Sequence, residues 1–63
     1  MPATLRERLD ELSRMVRDTR ITSRELRACR AKLIALWDDP ALKAAVEPVI
    51  EIAEEALRRR AVG

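Results

Sequence analysis

Three groups of side chains in this chain could do chemistry: a lone thiol at Cys29, carboxylates at Glu47, Glu51, Glu54 and Glu55, and guanidinium groups at Arg14, Arg17, Arg20, Arg24 and Arg27. A nucleophilic Cys needs a base beside it, most often His, and the chain has no His. Cys29 is flanked instead by Arg27, Arg30 and Lys32, cations that would lower its pKa if the thiol were exposed. Its spacing from Leu26 and Leu33 puts it in an apolar helical stripe, so a small core residue is the expected role. The carboxylates invite a di-metal reading. Carboxylate-bridged bundles, however, pair their Glu with a His three residues on, and that partner is missing. A solvated acidic face is expected, with no metal, no cofactor and no enzymatic activity.

The arginines recur at steps of three or four, so on one continuous helix they would form a stripe about four turns long. Such a stripe can track phosphates through sequence-independent, salt-sensitive contacts. A helix-turn-helix variant would set Ser23, Arg24, Arg27 and Arg30 at the start of a recognition helix. Against both stand a net charge of only +2 and the absence of any Asn or Gln for adenine readout. The short link also lacks the customary Gly. DNA or RNA binding is therefore the alternative reading. The charge is uneven: residues 1–32 carry nine Lys or Arg against five Asp or Glu, and residues 33–63 carry four against six. A basic half and an acidic half can attract each other between two copies of a chain, or serve separate partners.

The elements that must position these groups are helices. Ala, Leu, Arg and Glu dominate, a single Trp is the only aromatic residue, and the one Gly is the last residue, which leaves no turn chemistry for a sheet. Thr4-Leu5-Arg6-Glu7 spells a capping box, with Glu7 reaching back to the Thr4 cap, and Leu5, Leu9, Leu12 and Val16 follow on one stripe that Met15 widens. This predicts a first helix over about 5–18. An Asp10–Arg14 pair is expected on its outer side. Thr22-Ser23-Arg24-Glu25 repeats the capping spelling and predicts a second helix over about 23–37. It would bury Leu26, Cys29, Leu33, Ile34, Leu36 and Trp37. No Gly or Pro enforces a break at 18–23, so one continuous helix is the other possibility, although Thr19 and Ser23 would make a poor seam.

Asp39 is placed to cap a third helix with Pro40 at its first position, running to about residue 60 and fraying from Ala61 to Gly63. Its inward stripe is Leu42, Val46, Val49, Ile50, Ala53 and Leu57, extended by Ala45, Ile52 and Ala56. Pro48 should kink or split it. Glu54–Arg58 and Glu55–Arg59 are expected pairs on its outer face.

The expected architecture is one all-α domain, a small bundle of two or three amphipathic helices. At 63 residues its core is thin. With one Cys and no His, neither a disulfide nor a zinc site can reinforce it, which points to completion by homodimerisation on Leu5, Leu9, Leu12, Val16, Leu26, Leu33 and Trp37. Trp37 is expected either as a wedge between the second and third helices or as an anchor for another protein, protected from water in both cases. The expected function is a protein-protein interaction module, an adaptor, inhibitor or regulator, docking by a helix-in-groove mode. No apolar run approaches a membrane span and the N-terminus lacks the order of a signal peptide, so a reducing cytoplasm is the expected address.

Overall fold

Thr4 and Thr22 decide where the first two helices begin. Both sit in extended backbone, and each side-chain oxygen accepts from a backbone N–H three residues on, Glu7 or Glu25, at 3.1 Å. At Thr22 the box is complete, because the Glu25 carboxylate accepts from the Thr22 backbone N–H at 3.2 Å. At Thr4 the Glu7 carboxylate instead meets the Thr4 hydroxyl at 3.3 Å. The computed structural model describes residues 4–62, and these contain three helices: α1 (Leu5–Arg17), α2 (Ser23–Trp37) and α3 (Lys43–Val62).

The break between α1 and α2 is real, so the continuous-helix alternative falls away. Asp18 leaves the helix with extended dihedrals, its N–H donating to the Met15 carbonyl at 3.1 Å. Its carboxylate then accepts from the Arg20 N–H at 2.9 Å and its carbonyl from the Ile21 N–H at 3.2 Å. Asp competing for local backbone donors is what ends the helix where no Gly does. Ile21, beside the Thr22 cap, turns inward and joins the same buried cluster as Leu26, the N′ and N4 positions of a hydrophobic staple.

The second joint differs from the expectation of a helix starting at Pro40. Asp39 does act as a cap, its carboxylate accepting from the Ala41 N–H at 2.9 Å and its carbonyl from Leu42 and Lys43 at 3.0 Å. This makes one separate helical turn, and α3 proper begins at Lys43. It then runs unbroken through Pro48 and past Arg60 to Val62, while Gly63 lies outside the described residues. Pro48 and Ala44 are both exposed, so α3 carries its proline, and the turn whose hydrogen bond it removes, on the side away from the core.

The helices run up, down and up. Arg8, Glu11 and Met15 of α1 border a cleft with Lys32, Ala35 and Leu36 of α2, and across the next seam Arg30 meets Glu54 while Trp37 meets Glu47. The interior takes Leu9, Leu12 and Val16 from α1, Leu26, Cys29 and Leu33 from α2, Val46, Val49 and Ala53 from α3, and Ile21 and Leu42 from the joints. Each helix therefore covers the stripes of the other two within one chain. The Cα radius of gyration, 11.6 Å, is close to the roughly 10.6 Å of a compact chain this long.

Candidate interaction surface

Five of the seven side chains expected at a dimer interface are used up inside the chain. Leu9, Leu12, Val16, Leu26 and Leu33 are buried, so a second copy could reach them only if the bundle opened. Among the described residues, Leu5, Ile34 and Trp37 are the large apolar residues left outside, at 44%, 42% and 37% exposure. Ile34 and Trp37 stand three apart on α2 and share one face.

Trp37 is not the buried wedge that its size suggested. The indole lies over the outside of the α2–α3 seam, its Nε1–H donating to Glu47 Oε1 at 3.3 Å and the Lys43 ammonium sitting 4.6 Å from the ring centroid. Both polar partners come from the first turns of α3, and they hold the ring at the surface. The interior beneath is already filled by Leu33, Leu42 and Val46. Together Ile34, Trp37 and the half-buried Ile50 line a shallow cleft of about 440 Å³, bordered by Glu47, Glu51 and Glu54.

These three carboxylates lie on one side of α3, at steps of four and three. Glu54 reaches Arg30 of α2 at 3.9 Å rather than the expected Arg58. Glu55 faces elsewhere and takes both Arg58, at 2.9 Å, and Arg59, at 3.2 Å. Asp10 likewise pairs with Arg6, at 3.7 Å, rather than with Arg14. All are exposed or half-exposed pairs in high dielectric, worth little to stability. Among the described residues no three His, Cys, Asp or Glu side chains converge on a point that could hold a metal ion.

The arginine series is divided by the break at Asp18. Arg14 and Arg17 belong to α1, Arg20 to the joint, and Arg24 and Arg27 to α2, all exposed. Arg20 is tied to Asp18 at 3.6 Å, and Arg17 is hydrogen-bonded to the Ser13 hydroxyl. The unbroken four-turn ladder on which a phosphate-tracking role rests does not form. Cys29 is buried, and that burial pushes the thiol's pKa up, against ionisation. Of the three flanking cations only Lys32 opposes the shift, and Glu25 and Glu11 reinforce it. No helix among the described residues is long and apolar enough to cross a membrane.

Ile21 and the Trp37 environment are what sequence reasoning missed. For Ile21 the signal was present, an apolar residue directly before a Thr-x-x-Glu cap with Leu four positions after the cap. For Trp37 it was the Lys43 and Glu47 pair one turn apart on α3, legible only once the antiparallel register is known. Set against protein-family models, curated proteins and solved structures, the chain matches none of them.

Proposed function

We propose that this chain is a non-enzymatic binding module that engages a protein partner through the Ile34–Trp37 edge of α2 and the adjoining face of α3. One observation carries the reading. In a bundle whose other long apolar stripes cover one another, the lone aromatic ring and a neighbouring Ile remain together at the surface, beside a cleft. Trp is the side chain most enriched among residues that dominate binding energy, and an anchor at i with a second at i+3 suits a helix or groove partner. The motive for self-association is correspondingly smaller than composition suggests, because five of the seven expected interface side chains are covered within the chain.

A photo-crosslinking residue at position 34, compared with one at the exposed position 28 on the same helix, tests the proposal in the native cell. A discrete adduct from position 34, absent from position 28 and lost when Trp37→Ala is added, is the expected result. Equal labelling from both positions, or none from 34, overturns it.

A further inference from the structure

The acidic border of the Trp37 cleft goes further than the presence of a partner and indicates its chemistry. Glu47, Glu51 and Glu54 span eight residues of α3, about 10 Å of helix, alongside Ile34, Trp37 and Ile50. The cations at this face are the chain's own, and they sit at its two ends. Lys43 lies 4.6 Å from the centre of the Trp37 ring, and Arg30 lies 3.9 Å from Glu54. Glu51, between them, has no ion-pair partner among the described residues. A charge facing an apolar cleft without a counter-ion is poorly matched by a neutral or acidic visitor and well matched by a basic one. The ring face that holds Lys43 is also a cation site in its own right, since the indole quadrupole attracts ammonium and guanidinium groups.

We infer that the segment docking on this face is a cationic amphipathic helix, two to three turns long, whose apolar residues cover Ile34 and Trp37 while a Lys or Arg meets Glu51. This rests on the proposed binding role and adds the charge and form of the partner. The whole chain carries a net charge of +2, so attraction of a cationic peptide has to come from this local carboxylate group and not from the molecule's overall field.

The intact chain is titrated with a synthetic Trp-free helical peptide bearing Leu on one face and Lys on the other, and with its counterpart carrying Glu for Lys. Fluorescence of Trp37, the only Trp, is the readout. The Leu/Lys peptide is expected to blue-shift the emission saturably, with affinity falling as salt rises from about 0.05 M to about 0.5 M. Glu51→Gln should weaken it about 1.5-fold to fivefold, as loss of one exposed rim charge pair does, while Glu11→Gln, at an exposed site on α1, leaves it unchanged. Equal binding of both peptides, equal effects of the two substitutions, or no shift with the Leu/Lys peptide overturns the cationic assignment. The position-34 crosslink would then still stand or fall by itself. A blue shift that grows with chain concentration alone makes a second copy the occupant and overturns the inference as well.

Discussion

The two joints of the bundle connect helices of the same kind without a left-handed residue in either, and they reach that end by different means. At 18–22 the polar groups bond one another. Asp18 holds the Arg20 N–H, Thr22 and Glu25 hold each other, and Ile21 closes the joint from inside. At 38–42 a single helical turn capped by Asp39 makes the connection, Leu42 supplies the inward side chain, and the neighbouring Trp37 is left outside with Lys43 and Glu47. The first joint uses its polar groups to fix helix direction. The second has polar neighbours that hold an aromatic ring within water's reach, which is what a binding edge needs and a core does not.

That contrast breaks most readily at the buried residue of the first joint. Ile21 is 8% exposed, and Ile21→Ala should cost about 2–3 kcal/mol through lost burial and an unfilled space, measured by urea unfolding followed by far-ultraviolet circular dichroism. Trp37→Ala should cost less than Ile21→Ala, although Trp is the larger side chain; the reverse order would mean that the ring is structural and the two joints are alike. Next comes Thr22→Ala, expected to cost about 1 kcal/mol by leaving donors at the start of α2 without partners. Asp39→Ala should cost less in the same assay, since Asp39 caps one turn and not a whole helix. Pro40→Ala follows at about 0.4–1 kcal/mol, acting through the freedom of the unfolded chain with the folded spectrum unchanged.

The smallest effect is one of pH. The Arg20 backbone N–H, and with it the Arg20 charge, lowers the Asp18 pKa from its ordinary value, more than the small desolvation raises it. A carboxylate with a lower pKa folded than unfolded contributes fully above its unfolded value, and the contribution is lost as pH falls through the folded one. The urea midpoint should therefore decline on acidification through and below the usual carboxylate range. In Asp18→Asn that part of the decline should vanish, and an unaltered acid limb would show that the first joint owes nothing to this charge.

Much of the fold was legible because local signals agreed with tertiary needs. Thr4 and Thr22 spell their caps, and Leu9, Leu12 and Val16 keep helical spacing. The stripe expected of the third helix is buried at Leu42, just before α3, and at Val46, Val49 and Ala53 within it. Where sequence and structure part, the physical causes differ. β-Branched Ile21 looks like a weak point in a helix, whereas its place before the cap makes it a core residue. Pro40 fixes the start of a turn but not of α3. Pro48 does not split α3, and it sits on the exposed side of that helix. Ion-pair choices such as Arg30 with Glu54 depend on the register between α2 and α3, which no local pattern encodes. The cleft belongs to the same class: Ile34 and Trp37 are visible as apolar residues, yet only packing decides which apolar residues are left over.

With Trp37 on the outside, every side chain buried at the centre of this bundle is aliphatic or a thiol. The packed interior is thus dark in the near ultraviolet. A melt followed there would report what happens to one edge of α2, and loosening of the core could pass unseen until methyl resonances or amide exchange were consulted.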